Sequence, residues 1–115
     1  MGLDNFFAKN PKDIDECYGE GHSEYPGKEY PNELYFRGNI YYSDIQRLTG
    51  YTIFVEWLTP AELFAIGMLM VEQILLHPKE FKRNVDAKYD RAALKRISYD
   101  MLYYSNKGYG LVGRF

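Results

Sequence analysis

Residues 59–76, TPAELFAIGMLMVEQILL, decide the fold of this chain. Thr59 is a good helix N-cap, Pro60 suits the first turn, and Glu62 completes a Thr-x-x-Glu capping box. The helix that follows is apolar around almost its whole circumference in its first half. Such a helix must be covered on several sides, and a chain of 115 residues has little structure to spare for this. The sequence therefore predicts a homo-oligomer in which a second copy supplies part of the cover.

Length and composition fit one small domain over residues 1–115, since 46% of the residues are hydrophobic and can form a single core. The 12 tyrosines, 7 phenylalanines and one tryptophan either fill that core or form a surface that binds flat ligands or a partner. The single cysteine, Cys17, excludes an internal disulfide and is typical of a reducing compartment. No signal peptide or membrane span is recognisable, so we expect a cytoplasmic protein.

Charge is unevenly distributed, although the net charge is only −2. Residues 1–35 hold eight acids and three lysines, whereas residues 77–115 hold nine bases and four acids. The two regions can pair within one chain or between copies, and the basic region can also hold an anion. The acidic overall balance argues against a nucleic-acid binder, because affinity for the phosphate backbone requires many cations.

Four segments read as strands and three as helices. The predicted strands are residues 2–9, residues 34–42 with an interruption at Gly38-Asn39, residues 51–57 and residues 109–115. The predicted helices are a short one from Ser43 to Gly50, the apolar one over 60–76 that His77-Pro78 ends, and a last one that Asp90 caps and Lys107-Gly108 closes.

Two stretches read as irregular, residues 10–33 as a long polar loop with several prolines and glycines, and residues 79–89 as loop or a ragged helical turn. The order of the elements predicts an α+β fold. In it, a small, mainly antiparallel sheet packs against the central apolar helix and a C-terminal amphipathic helix.

Metal binding and catalysis find little support in the residues. Cys17 and His22 lie in a run of acids, and two soft ligands at this spacing do not make a zinc site. The acidic surroundings also disfavour a reactive thiolate at Cys17. His77 precedes a proline at a helix end, where it suits the helix dipole. We therefore predict no metal, no cofactor, no catalytic residue and no enzyme activity.

Binding of an anion has better support. Arg37 lies among aromatic residues on a predicted strand, and an arginine among rings suits a nucleotide, with the guanidinium on phosphate and the rings on the base. The glycine-rich tail around Arg114 would let backbone N–H groups approach a ligand closely. The alternative is a surface arginine beside rings that belong to the core. The candidate ligand-binding residues are Arg37, Tyr41, Tyr42, Arg96, Lys107, Tyr109 and Arg114.

Several short motifs are shared with a group of phage proteins. They are the opening MGLDNFF, the Phe36-Arg37-Gly38 run followed by Tyr41 and Tyr42, the Thr49-Gly50-Tyr51 turn, and the helix start at residues 59–62. In these motifs the chain resembles small phage and prophage proteins that begin with Met-Gly-Leu-Asp. The resemblance implies an accessory protein that works by sequestration, which is an analogy and assigns no residue a role.

Two functions follow as hypotheses. In the first, a homo-oligomeric accessory protein sequesters a small anionic ligand, such as a cyclic nucleotide or another nucleotide-derived immune signal. In the second, the chain is a protein-interaction module that inhibits a host defence protein, and the acidic, tyrosine-containing loop at residues 13–33 presents the contact surface.

Overall fold

The computed structural model of the protein describes residues 2–14, 31–85 and 88–115. These residues form an α+β fold, a four-stranded antiparallel sheet with helices packed on it, which confirms the predicted fold class. The strands are β1 (Asp4–Ala8), β2 (Tyr35–Phe36), β3 (Trp57–Leu58) and β4 (Gly110–Arg114). The helices are α1 (Gly38–Thr49), α2 (Pro60–Leu76), α3 (Pro78–Asn84) and α4 (Lys88–Asn106).

The sheet has the strand order β2-β1-β4-β3, and every neighbouring pair is antiparallel. Phe6 lies opposite Val112 and Phe7 opposite Leu111, so successive pairs point to opposite faces of the sheet. Phe7 and Leu111 join the main core, which the helices complete. Phe6 and Val112 form a smaller cluster with Ile14 on the other face. The long central strands β1 and β4 confirm the two terminal strands that the sequence predicts.

Helix α2 begins and ends where its sequence predicts. The Thr59 hydroxyl accepts a hydrogen bond from the Glu62 N–H at 3.2 Å, and the Glu62 carboxylate accepts one from the Thr59 N–H at 2.9 Å. The bond from the Thr59 N–H, with a smaller contribution from the Thr59 hydroxyl, lowers the pKa of Glu62 because it favours the charged carboxylate. At the other end, the chain leaves the helix at His77, before Pro78.

The main core lies between the sheet and the pair formed by α2 and α4. Gly67 of α2 lies against α4, so close that a Cβ there would meet the Met101 Cβ and the Leu102 side chain at 3.0 Å. The amphipathic character predicted for α4 is confirmed, because Leu94, Ile97 and Met101 are buried on one side of it, with Tyr104 half-buried beside them. The buried residues of the two helices are Leu63, Ile66, Gly67, Met70 and Ile74 in α2, and Leu94, Ile97, Ser98, Met101 and Ser105 in α4.

Helices α2 and α4 run antiparallel. Strand β3 leads directly into α2, and β4 follows α4 after a turn. Leu58 of β3 pairs with Leu111 of β4, so the beginning of α2 lies beside the end of α4. The turn contains Gly108 with a φ of 88°, a left-handed conformation that favours glycine and confirms the predicted end of this helix.

The predicted strand over residues 34–42 is wrong after its first part. Only Tyr35–Phe36 pair with β1, and the following helix begins at Gly38, five residues before the predicted start at Ser43. The N–H of Asn39 donates to the Leu3 carbonyl at 2.9 Å, which ties the first turn of the helix to β1. The strand propensity of the following Ile-Tyr-Tyr run is thus overridden by a contact that is distant in sequence.

The predicted strand over residues 51–57 is also mostly wrong, because only Trp57 and Leu58 pair with β4. The Thr49 hydroxyl accepts from the Tyr51 N–H at 3.1 Å, and the Thr52 hydroxyl accepts from the Phe54 N–H at 3.0 Å. Such local bonds satisfy the backbone without a neighbouring strand, so residues with high strand propensity remain irregular here.

Residues 79–89 are more regular than predicted, because most of them belong to α3 and to the start of α4. Phe81 is buried under α4, where the Lys95 ammonium lies 5.9 Å from the centre of its ring. Pro78 occupies the first turn of α3, where its missing N–H is not needed. Helix α4 begins at Lys88, so the predicted cap at Asp90 is wrong and this residue lies inside the first turn.

The long loop predicted over residues 10–33 is described only at its ends. Residues 12–14 have a helical backbone, and Asn32–Leu34 form a 3₁₀ turn that precedes β2. Residues 15–30, which include Cys17, His22 and most of the acidic segment, lie outside the described residues.

Candidate functional site

The seven residues predicted to bind an anion do not converge on one site. Arg37 directly follows Phe36, whose partner in β1 is Asn5, while Arg114 is paired with Asp4. Both arginines are exposed and lie at the beginning of β1. Arg114 is in β4 and Arg37 directly follows β2, and these two strands are about 10 Å apart with β1 between them. We call Arg37, Arg114 and Asp4 the arginine edge. Arg37 is the N-cap of α1 rather than a residue within a strand, which corrects its predicted setting.

An acid lies between these two arginines. The Asp4 carboxylate accepts a hydrogen bond of 2.6 Å from the Tyr35 hydroxyl, which holds the carboxylate at the arginine edge. A negative charge placed between two guanidinium groups offsets part of their attraction for an external anion. Asp4 and Tyr35 are not among the residues predicted from the sequence, since only the pairing of β1 with β2 and β4 brings them to this edge.

The tyrosines predicted to stack on a base are partly buried in the main core. Tyr41 and Tyr42 lie in the first turns of α1 and pack against that core. The Tyr42 ring meets Phe54 edge-on at 5.2 Å, and Phe54 lies 4.7 Å from Phe115. This row of rings reaches from α1 to the residue after Arg114, so Tyr42 is the predicted ring that the structure connects to the arginine edge.

Lys107 and Tyr109 lie at the opposite end of β4, about 16 Å along the strand from Arg114. The Lys107 ammonium lies 4.9 Å from the centre of the Tyr103 ring. The Tyr109 ring packs edge-on against Tyr104 at 5.4 Å and is half-buried. Burial raises the pKa of Tyr104, and nearby acids, chiefly Asp100, add to the effect. Tyr103, Tyr104 and Tyr109 thus form an aromatic cluster, and the last two pack against the edge of the main core.

Arg96 lies neither at the arginine edge nor beside Lys107 and Tyr109. It lies on the exposed side of α4, about 16 Å along the helix from Lys107. Burial raises the pKa of Asp100, and the positive charge of Arg96 opposes this shift. The guanidinium of Arg96 is thus close enough to act on the carboxylate one turn further along its own helix.

The glycines of the C-terminal tail are used for packing, not held open for a ligand. A Cβ at Gly110 would come far inside 3.0 Å of the Leu58 carbonyl oxygen, and one at Gly113 would do the same with the Val55 carbonyl oxygen. The Gly113 N–H also donates to the Glu56 carbonyl at 3.0 Å. These glycines let the backbone of residues 55–58 lie close against β4. The space beside them is therefore filled by this segment of the chain and not by a ligand.

Among the described residues, the apolar helix α2 is covered on one side only. Phe64, Met68 and Leu75 lie along one line of the helix and are 40%, 48% and 61% exposed. Gly67, which contacts α4, lies at one side of the buried stripe of α2, and the exposed line of side chains lies next to that side. Because this helix is apolar on nearly all sides, its uncovered side exposes a row of apolar side chains to solvent.

Helix α4 continues this open row. Leu102, which contacts Gly67 of α2, lies on the same flank of α4 as Tyr99. Tyr99 and Tyr103 are one turn apart and are 45% and 55% exposed. We call the surface formed by these outward side chains the α2–α4 face: Phe64, Met68 and Leu75 of α2 with Tyr99 and Tyr103 of α4. The spacing of apolar residues in the sequence predicts such rows. Which side of each helix remains exposed depends on how the helices pack.

Charge differs between the two helices of this face. The charged residues of α2 are Glu62 and Glu72, with no lysine or arginine between Pro60 and Leu76. The outer side of α4 presents exposed Lys95 and Arg96. Glu62 belongs to the capping box and lies on the other flank of α2. The α2–α4 face is thus apolar in its middle, with one acid, Glu72, on α2 and two exposed bases on α4.

Among residues 2–14, 31–85 and 88–115, no three His, Cys, Asp or Glu side chains come together as metal ligands. None of the helices in these ranges combines the length and the apolarity that crossing a bilayer requires.

The comparisons with known proteins add no relative. Searches for a matching protein-family model, for a similar curated protein and for a similar solved structure each find no match to this chain.

Proposed function

We propose that this protein acts by binding, and that its principal binding surface is the α2–α4 face, which takes up a protein partner. The observation that carries this proposal is the row of half-exposed Phe64, Met68 and Leu75 beside Tyr99 and Tyr103. Contiguous apolar patches on a small domain mark interaction sites more often than chance exposure does. Aromatic residues and methionine are also the types enriched at the centre of protein interfaces.

The energetic argument is one of area. Each of the half-exposed side chains of α2 still has an apolar surface whose burial contributes on the order of 1 kcal/mol. The partly open tyrosines add area and can hydrogen-bond at the rim of an interface. A partner that covers the whole face therefore gains enough to offset much of the entropy lost on association.

The phage resemblance implies an accessory protein, and a host protein such as a defence factor is then one candidate partner. The acidic segment at residues 13–33 would then add carboxylates to the contact, as the second hypothesis from the sequence has it. On this proposal the apolar contact on α2 and α4 supplies the affinity, and charges supply specificity and rate.

A photo-crosslinking experiment tests the proposal. Benzoylphenylalanine replaces Met68 in the full chain, and the same residue replaces exposed Gln46 of α1 as the matched control. We expect irradiation of expressing cells to give a discrete crosslinked species from position 68 and none from position 46. An equal absence of crosslinks at both positions would remove the α2–α4 face as a binding surface. The masses of the species show whether the partner is the chain itself or another protein.

The arginine edge supports a second candidate function, the sequestration of a small anion such as a cyclic nucleotide. Arg37 and Arg114 lie on the two sides of the same end of β1, with Tyr42 connected to Arg114 through Phe54 and Phe115. Two guanidinium groups and a ring are the groups that a nucleotide phosphate and base require. The Asp4 carboxylate between the two arginines repels an anion, so binding has to overcome this repulsion.

Calorimetric titration of the pure protein with a cyclic dinucleotide, and with inorganic phosphate, tests this second function. A charged hydrogen bond contributes about 1.5–3 kcal/mol, so Arg37→Ala and Arg114→Ala should each weaken binding at least about tenfold. Arg96→Ala and Lys107→Ala are the matched controls, since these residues lie away from the edge, and they should leave the affinity unchanged. Equal losses in all four variants, or no binding by the unaltered chain, would exclude a site at the arginine edge.

A further inference from the structure

We propose that the partner on the α2–α4 face is a second copy of this chain, and that α2 and α4 of the two copies form an antiparallel four-helix bundle. This inference rests on the proposed function, because it names the occupant of the same face. It is carried by the opposite charges of the two helices and by the relative levels of their residues.

The face is complementary to itself. Its α2 half carries apolar side chains and one acid, Glu72, which is exposed at the edge of the row. Its α4 half carries tyrosines and two exposed bases, Lys95 and Arg96. A surface with an acidic and a basic half side by side matches a copy of itself when α2 of each copy meets α4 of the other. No ion pair joins Glu72 to a base among the described side chains, so its charge is available for such a contact.

One symmetry operation produces this match. A two-fold axis parallel to the helices, lying in the plane of the face, places α2 of one copy on α4 of the other. Because α2 and α4 are antiparallel within one chain, every neighbouring pair in the resulting bundle is also antiparallel. This is the up-and-down arrangement in which four-helix bundles pack their apolar rows.

The positions of the residues along the helix axes, which we call their levels, bring opposite charges together across the proposed dimer. Gly67 is level with Met101 and Leu102 in the antiparallel pair, so five residues further along α2 Glu72 is level with residues 96 and 97 of α4. An axis parallel to the helices preserves these levels between copies. Glu72 therefore faces the partner's Arg96, while Met68 falls between the levels of Tyr99 and Tyr103 of the partner subunit.

The dimensions suit a stable contact. Helix α2 has 17 residues and α4 has 19, so the face is about 25 Å long and two helices wide. Two such helices side by side supply a surface of the order that standard protein interfaces bury per partner, about 800 Å². Ala61 and Ala65, both exposed on α2, allow the facing helix to approach closely.

The test is sedimentation velocity on the full chain over a range of concentrations. We expect a dimer for the unaltered protein, and dissociation constants at least about tenfold higher for Glu72→Arg and for Arg96→Glu, since like charges then face each other. The double variant exchanges the two charges and should restore the dimer. Met68→Glu leaves both charges in place but puts a carboxylate into the apolar row, so it should abolish the dimer. Thermal unfolding of each variant checks that the fold is retained.

Glu56→Arg and Lys79→Glu are the matched controls, since both side chains are exposed and belong to neither α2 nor α4, and they should dissociate like the unaltered protein. A monomer at all concentrations would overturn the inference, and so would a dimer that the face variants and the controls affect equally. A monomer that still forms a crosslink to a different protein through position 68 would overturn only the self-association. A monomer without any such crosslink would overturn the proposed function as well.

Discussion

Replacement of Gly38 by alanine is expected to destabilise the protein by about 3 kcal/mol, the upper part of the range for overpacked interior positions. Gly38 is the first residue of α1, and a Cβ there would lie far inside 3.0 Å of the Asn5 amide oxygen. Asn5 is fully buried in β1, where its amide donates weakly to the Val112 carbonyl at 3.4 Å. The substitution must therefore push the start of the helix away from the sheet.

Chemical or thermal unfolding of the single and double variants checks this result. Asn5→Ala removes the obstructing amide, whose oxygen has no hydrogen-bond partner among the described residues. The double variant Gly38→Ala/Asn5→Ala should therefore lose less stability than the two single losses added together, by more than about 1 kcal/mol. Gly2→Ala is the control, because no atom lies within 4 Å of a Cβ at that position. A Gly38→Ala protein as stable as the Gly2→Ala control would contradict the packing described here.

Replacement of Gly113 by alanine is expected to cost at least about 3 kcal/mol and to release residues 55–58 from β4. The obstacle in this case is the Val55 carbonyl oxygen, a backbone atom that no change of side-chain conformation can move away. Separation of the two segments would also break the bond from the Gly113 N–H to the Glu56 carbonyl. Gly110→Ala should act in the same way through the Leu58 carbonyl oxygen.

Hydrogen exchange at the Gly113 amide, together with the unfolding free energy, measures this effect. We expect loss of protection at that amide in Gly110→Ala, because the alanine lies three residues away in the same strand. Truncation of a neighbouring side chain, for example Leu3→Ala, should not rescue Gly113→Ala, in contrast to the rescue of Gly38→Ala by a change at Asn5. If Gly113→Ala kept full stability and lost only an anionic ligand, the glycine-rich tail would be a ligand site, as the sequence alone suggests.

The two candidate functions place different demands on the same fold. The arginine edge depends on β1, whose register with β2 and β4 brings Arg37 and Arg114 to one strand end. The α2–α4 face depends on the close contact at Gly67, which sets the distance between the two helices. Variants at the two surfaces therefore act independently, since no residue belongs to both.

Part of the candidate site is visible in the sequence and part is not. The apolar row on α2 is encoded by residues spaced four and seven apart, a spacing that can be read from residues 59–76. Sequence alone indicates that such a helix needs covering, and thus a partner. It does not indicate which flank the chain itself covers, because that depends on where α4 and the sheet lie. The seven residues predicted for an anion illustrate the same limit, since only the strand register shows that two of them share an edge.

The sequence by itself determined the elements whose signals are local. The capping box at Thr59 and the His77-Pro78 end define α2 within a few residues, and short-range patterns suffice for β1 and β4. The tertiary structure decided the rest. Residues 40–42 have strand propensity but form helix, because Gly38 fits against Asn5 and the Asn39 N–H reaches the Leu3 carbonyl. Contacts between residues more than thirty positions apart outweigh the few tenths of a kcal/mol by which one residue's propensity favours strand over helix.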